Sequence, residues 1–415
     1  MKRFELWFDF SCPYAYLAMS QAEALAERTG TQLDLRPMLL GGVFKAREVP
    51  QKLFATMSPA KTRHNFADMQ RWGRLFGLPK PLTIPQGHPV RTVDALRCVL
   101  AVGQPFGPLV RRFFEAYWDE QIDISSDEGL AQVLKAAGHE PADILAKARS
   151  PQIKDELRAR TDEAIERGIF GAPAIFVGDK LYWGQDRLHF VERALGGVPM
   201  PMAPPQEELQ HPVDFYFDYS SPFAYLASTE VEATLGDKAT WRPMLLGAVF
   251  KAVQMANVPF FTMSEAKRAY YAKDIARQAG AAQAKFTWPS NFPMNTVLAL
   301  RMTLLARAHE TAQGRQFVHR VFRAYWAEDL DISQGEVLAK IASECGLDGP
   351  ALVEGASAPD IKAALKTCTQ DAVEAGVFGA PTFVVHGDEG PNLYWGADRL
   401  AMAARAAAGD TRVQG

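Results

Sequence analysis

Phe8-Asp9-Phe10-Ser11-Cys12-Pro13-Tyr14-Ala15-Tyr16-Leu17 is written a second time as Phe217-Asp218-Tyr219-Ser220-Ser221-Pro222-Phe223-Ala224-Tyr225-Leu226. Arg3 to Phe8 and Val213 to Phe217, short apolar and aromatic runs, read as β-strands. Pro13 and Pro222 then fall where proline is best tolerated, in the first turn of a helix. Ala15 to Glu27 is rich in Ala, Leu and Glu and stops near Gly30, a C-cap signal. Leu33 to Arg36, and its counterpart around Trp241, give a second strand. The order is β-α-β, which implies a parallel pair joined by a helical crossover.

Outward from this stretch, the rest of the chain is also written twice. Arg36-Pro37-Met38-Leu39-Leu40-Gly41 returns at Arg242 to Gly247, and Thr56-Met57-Ser58 returns as Thr262-Met263-Ser264. Ala116-Tyr117-Trp118 matches Ala324-Tyr325-Trp326, and Phe170-Gly171-Ala172-Pro173 matches Phe378-Gly379-Ala380-Pro381. Leu181-Tyr182-Trp183-Gly184 and Asp186-Arg187-Leu188 match Leu393 to Gly396 and Asp398 to Leu400. The order is constant and the offset stays between 206 and 212 residues, so this is a duplicated domain and not a solenoid. The expected organisation is one unit over residues 1–197, a Pro-rich linker over 198–211, and a second unit over 212–415.

The 415 residues are 48% hydrophobic and 22% charged with a formal net charge of −3, which excludes a disordered chain, a collagenous repeat and a coiled-coil rod. The near-neutral balance argues against a nucleic-acid footprint. No apolar run approaches the roughly 18 residues of a spanning helix, and Glu5 and Asp9 interrupt any signal-like segment after Lys2 and Arg3, so no membrane association and a cytoplasmic location are expected. Cys12, Cys98, Cys345 and Cys368 are too few and scattered for a disulfide framework, and no histidine spacing suggests a metal.

Within each unit, helical patterns fill about 45–150 and about 251–357, including Val90 to Val102, Val110 to Glu120, Asn295 to His309 and Gln316 to Glu328. Asp155 to Arg167 is one more helix, closing at Gly168. Ala174 to Val177 and Lys180 to Trp183, joined by Gly178-Asp179, form a tight hairpin; the second copy is expected to carry a longer connection from His386 to Asn392. The fold class is therefore α/β: two tandem thioredoxin-like domains, each with a long inserted all-helical domain.

Three elements could carry chemistry. Cys12 and Ser221 sit between a strand and a helix-opening proline, where free N–H groups and the helix dipole favour negative charge. For Ser221 capping alone is the simpler reading; Cys is a poor cap, and a lowered thiol pKa is expected for Cys12. Ala15 stands three residues after Cys12, so no CxxC dithiol is available. The Ala172-Pro173 and Ala380-Pro381 steps precede apolar strands, and a strand-edge proline and a cis bond are equally weighted readings. A cis bond would expose the backbone of Ala172 and Ala380 to an extended ligand. Gln185-Asp186 and Ala397-Asp398 open a last helix, so capping is the first explanation for the two aspartates, and an ammonium-binding carboxylate the second. The Tyr117-Trp118 and Tyr325-Trp326 pairs read as helix-packing aromatics, and Lys45 and Lys251 as surface residues or contacts for an anionic substrate.

Together these elements resemble the 2-hydroxychromene-2-carboxylate isomerase family, itself similar to kappa-class glutathione transferases and more distantly to Dsb-type (DsbA family) thiol oxidoreductases. The resemblance covers almost all of each half and implies a thioredoxin fold, glutathione as cofactor, and single-unit homodimers, hence an intrachain pseudo-dimer of the two halves here. Residue by residue, Ser221 matches the serine whose hydroxyl favours the glutathione thiolate; Ala172 and Ala380, beside Pro173 and Pro381, would pair with its cysteinyl part; Gln185-Asp186 and Ala397-Asp398 would hold its γ-glutamyl end. The implied reaction is the glutathione-dependent cis–trans isomerisation of a small aromatic pyruvate and its cyclic hemiketal in aromatic catabolism. Two departures stand out: Cys12 replaces the serine, and Phe223 replaces the tyrosine after the proline. The second half is expected to be the competent site, and the first redox-active, weak or structural. A thiol oxidoreductase or kappa-type transferase working through Cys12 is the alternative, and a ligand-binding module without turnover is the third reading.

Overall fold

The computed structural model describes residues 2–51, 56–198, 204–256 and 258–415. Pro199 to Ala203, within the expected 198–211 linker, lie outside the described residues.

The first copy runs β1 (Arg3–Phe8), α1 (Pro13–Thr29), β2 (Gln32–Pro37), α2 (Leu40–Ala46), then helices α3 (Pro59–Leu75), α4 (Val93–Val102), α5 (Gly107–Trp118), α6 (Asp127–Ala136), α7 (Pro141–Ala148) and α8 (Pro151–Glu166). It closes with β3 (Ala174–Val177), β4 (Lys180–Trp183) and α9 (Leu188–Leu195). The second copy repeats this as β5 (Val213–Phe217), α10 (Pro222–Leu235), β6 (Ala239–Pro243), α11 (Leu246–Ala252), α12 (Glu265–Ala281), α13 (Val297–Leu305), α14 (Ala312–Trp326), α15 (Gly335–Glu344), α16 (Gly349–Gly355), α17 (Pro359–Glu374), β7 (Thr382–Gly387), β8 (Gly390–Trp395) and α18 (Leu400–Ala407).

Each copy builds one four-stranded sheet, in the orders β2-β1-β3-β4 and β6-β5-β7-β8. β1 pairs parallel to β2 and antiparallel to β3, and β5 does the same with β6 and β7. The central strands β1 and β5 carry Phe4, Leu6, Phe8, Phe215 and Phe217 into the core. This is the thioredoxin-like order read from the sequence, with the helical insertion between β2 and β3.

One expectation is corrected. The second hairpin does not carry a longer connection: its ladder continues through His386↔Pro391 and Gly387↔Gly390, so the extra residues lengthen the strands and only Asp388-Glu389 turn. β8 is an edge strand, where Pro391 costs no ladder bond.

The chain divides into two compact units. One comprises residues 1–56, 69–201 and 264–270; the other comprises 57–68, 202–263 and 271–415. Each therefore contains one sheet and a short helical segment supplied by the opposite sequence copy. Among the described residues no helix is long and apolar enough to cross a membrane.

Candidate active site

In the unit built on β5, the strand ends at Phe217 and the chain turns through Asp218-Tyr219-Ser220 to Ser221, the N-cap of α10. Asp218 makes that turn. Its carboxylate is buried and accepts from the Ser220 N–H (2.9 Å), the Leu246 N–H that opens α11 (2.8 Å) and the Thr296 hydroxyl before α13 (2.8 Å). Burial raises the Asp218 pKa, and these bonds pull against it. Asp9 does the same in the other unit with Ser11, Leu40 and Thr92. The sequence displayed both aspartates in its repeated motif, but nothing in it marked them as the anchors of three elements.

Ser221 accepts the Ala224 N–H (3.2 Å), so capping is real, and its hydroxyl also donates to the Ala380 carbonyl at 2.8 Å. Cys12 holds the matching place, its thiol donating to the Ala172 carbonyl at 3.0 Å, without a side-chain cap bond. Both Ala-Pro steps are cis. The first two sequence elements thus meet in each unit, directly and symmetrically.

The expected lowering of the Cys12 pKa is corrected. Burial pushes its thiol up to about 12, the N–H groups of Ala15 and Tyr14 being insufficient to offset desolvation, and the buried Asp9 acting in the same direction.

The third element is tied to the second by backbone. Gly184 N–H donates to the Pro173 carbonyl (3.1 Å) and Gly396 N–H to the Pro381 carbonyl (3.0 Å). These glycines, at φ 106° and 118°, place Gln185-Asp186 and Ala397-Asp398 in short 3₁₀ turns ahead of α9 and α18. The aspartates, expected first as caps, do not hold the cap positions: Gly184 and Gly396 precede the 3₁₀ turns, and Arg187 and Arg399 are the N-cap residues of α9 and α18. Asp186 and Asp398 instead lie beside Arg187 (3.2 Å) and Arg399 (3.1 Å), half-buried, while Gln185 is buried. Gly171 and Gly379 are required for a different reason, since a Cβ on either would collide with the indole Nε1 of Trp183 or Trp395.

The exchanged segments reach this third element. In the β5 unit the Trp395 N–H donates to His64 Nε2 (3.2 Å), Lys61 Nζ stands 5.2 Å from the Trp395 ring centroid, and Arg399 pairs with Asp68. In the β1 unit the Trp183 N–H donates to the Tyr270 hydroxyl (3.0 Å), with Lys267 Nζ 5.1 Å from the Trp183 ring. His64, Asp68 and Tyr270 carry no signal of this role in the sequence, and positions 64 and 270 differ between the copies. Trp118 and Trp326 pack as expected and additionally donate their indole N–H to the Phe10 and Tyr219 carbonyls, 3.0 and 2.8 Å away. Lys45 and Lys251 are exposed, in the last turns of α2 and α11. Phe223 packs edge-on to Tyr271, centroids 5.3 Å apart.

The family model described as DSBA-like thioredoxin domain matches residues 3–196 and again 212–408. The chain belongs to this DSBA-like thioredoxin family. Over 47% of its length the chain is similar to 2-hydroxychromene-2-carboxylate isomerase of Sphingobium xenophagum, 29% identical over 202 residues that cover 98% of that protein. Glutathione S-transferase kappa 1 of Rattus norvegicus is 28% identical over 219 residues, covering 48% of this chain and 94% of that protein. A solved structure of 2-hydroxychromene-2-carboxylate isomerase is 27% identical with a TM-score of 0.42, covering 47% of this chain and 94% of that one. Members related to this DSBA-like chain are thus isomerases and glutathione transferases, which supports an enzyme of that superfamily.

Proposed function

We propose that the β5 unit is a glutathione-dependent cis–trans isomerase acting on a small aromatic pyruvate and its cyclic hemiketal in aromatic catabolism. The observation that carries this reading is Ser221: a hydroxyl at the start of α10 whose bond to the Ala380 carbonyl can be exchanged for one to a ligand anion. The residues fit glutathione. An extended ligand backbone donating to the Ala380 carbonyl would release the Ser221 O–H, which then donates to the sulfur beside the helix N-terminus. Asp398, in the loop tied to Pro381, offers a carboxylate for the γ-glutamyl ammonium, with Ala397 beside it; Asp186 and Gln185 repeat the arrangement in the other unit.

Glutathione supplies a thiolate that adds reversibly to the conjugated double bond of the substrate, so that the bond can rotate. Ser221 holds the negative charge, α10 stabilises it through its N-terminal N–H groups, and Asp218 keeps the strand-to-helix turn rigid. No electrons are transferred overall, which suits a site without a dithiol.

A second reading places a thiol oxidoreductase or kappa-type transferase at Cys12, favoured by the identical placing of its thiol against the Ala172 carbonyl. Burial of that thiol counts against it as the main activity. We further propose that the halves act as an intrachain pair, on the support that residues 57–68 and 264–270 each complete the opposite copy's unit. The four cysteines are free thiols, which fits a cytoplasmic enzyme.

The test is isomerisation of 2-hydroxychromene-2-carboxylate by the full chain. Turnover that requires added glutathione supports the proposal; glutathione-independent turnover, or none, removes it.

A further inference from the structure

In the β5 unit an aromatic track leads from the Ser221 turn to the surface. Its inner end is Trp326, fully buried, whose indole N–H donates to the Tyr219 carbonyl two residues before Ser221. Phe286, Trp288 and Phe292 lie 5.8, 6.1 and 6.0 Å from Trp326 by ring centroid. Phe260 follows at 5.1 Å from Trp288, and Phe261 at 5.8 Å from Phe260. The chain that carries Phe292 is fixed to the same turn, because Thr296 donates to Asp218.

These rings are not packed as a core. Phe317 and Phe322 of α14 are fully buried, whereas Phe260, Trp288 and Phe292 are only half-buried and Phe261 is 54% exposed. Large rings left partly wet in a row form an apolar surface that a ligand ring could cover, with face and edge contacts to offer.

The other sequence copy serves as an internal control. Thr83-Ile84-Pro85 stands where Thr287-Trp288-Pro289 does, and the cis His88-Pro89 step matches the cis Phe292-Pro293 step. Trp118 keeps the same indole bond to the strand-end carbonyl. The outer rings differ: Ile84 replaces Trp288, and His88 replaces Phe292 and meets the Tyr117 hydroxyl at 2.8 Å. Residues 54 and 55, the counterparts of Phe260 and Phe261, lie outside the described residues.

We propose that Phe260, Phe261, Trp288 and Phe292 form the ring-binding wall of the β5 unit, selecting planar aromatic compounds, and that the β1 unit does not share this selectivity. This deepens the functional reading above, rests on it for the reaction served, and concerns binding alone.

The test is equilibrium dialysis of the full chain against 2-naphthoate without glutathione. Trp288→Ile combined with Phe292→His installs residues that the first copy already carries, and should weaken binding about tenfold; the exposed Phe261→Ser should weaken it about threefold. Ile84→Trp with His88→Phe should not weaken it. Thermal melting checks folding, and if the double variant melts early, Phe261→Ser decides. Affinity unchanged in Phe261→Ser and in a folded double variant, or no wild-type binding at millimolar 2-naphthoate, overturns the wall. Because the readout is binding, lost isomerase activity with intact 2-naphthoate binding would count against the reaction and not against the wall.

Discussion

Arg399 and Asp68, 331 residues apart in sequence, form a buried two-point ion pair in the β5 unit, with Nε–Oδ1 at 2.8 Å and Nη2–Oδ2 at 3.0 Å. The pair ties the first copy's helical segment to the loop bearing Ala397-Asp398, so that loop depends on residues from both copies. Removing one partner takes this two-point contact away from the other's buried charge, and Asp68→Ala or Arg399→Ala should cost about 3–5 kcal/mol. Urea denaturation of the full chain measures this. Replacing both by apolar residues, Asp68→Leu with Arg399→Met, should recover most of the loss; a double variant as unstable as the sum of the singles would contradict a direct coupling.

Gly379 lets the Trp395 indole lie against the backbone beside the cis-Pro step. Gly379→Ala forces that indole away and should destabilise by about 1–3 kcal/mol, while weakening glutathione binding measured by calorimetry. Binding and stability both unchanged would show that the indole has room to move.

Asp218 satisfies three donors at once, and Asp218→Ala leaves the Leu246 N–H and the Ser220 N–H without that acceptor. A loss of about 2–4 kcal/mol is expected, with Asp218→Asn milder because its amide oxygen keeps part of the acceptance. Denaturant midpoints of the two variants check the order.

The Cys12 thiol predicts a pH dependence with a definite sign. Only the thiolate is nucleophilic, and burial raises the pKa to about 12, so the reactive fraction is very small at pH 7 and grows as pH rises. Alkylation of Cys12 by iodoacetamide, followed by mass spectrometry, should be much slower than that of a free peptide thiol from pH 7 to 9. A reaction that saturates below pH 8 would reveal an activated thiolate and favour the oxidoreductase reading.

The sequence alone displayed much of this arrangement, since a repeat exposes what one copy hides. The β-α-β start, the Ala-Pro step and the Trp-Gly-x-Asp-Arg loop were all legible because each pairs local chemistry with a second occurrence. The cis geometry was one of two open readings, and the 3₁₀ turn at Asp186 and Asp398 was masked by the usual preference of aspartate for capping. The second hairpin is longer in its strands and not in its turn, because tertiary pairing with Pro391 and Gly390 draws His386 and Gly387 into the ladder, which no local pattern encodes. His64, Tyr270 and Asp68 were invisible because their roles depend on which unit receives their segment, and no local pattern encodes that. The Cys12 pKa went the other way because desolvation is a property of the packed core and not of the helix start.

The role of Ser221 is tested most directly by glutathione-dependent isomerisation of 2-hydroxychromene-2-carboxylate by wild type, Ser221→Ala and Cys12→Ser. The role assigned to Ser221 predicts that Ser221→Ala lowers the rate at least about a hundredfold, the scale on which one donor to a developing anion acts, while Cys12→Ser leaves it near wild type. Full activity in Ser221→Ala, or loss in Cys12→Ser alone, would contradict it.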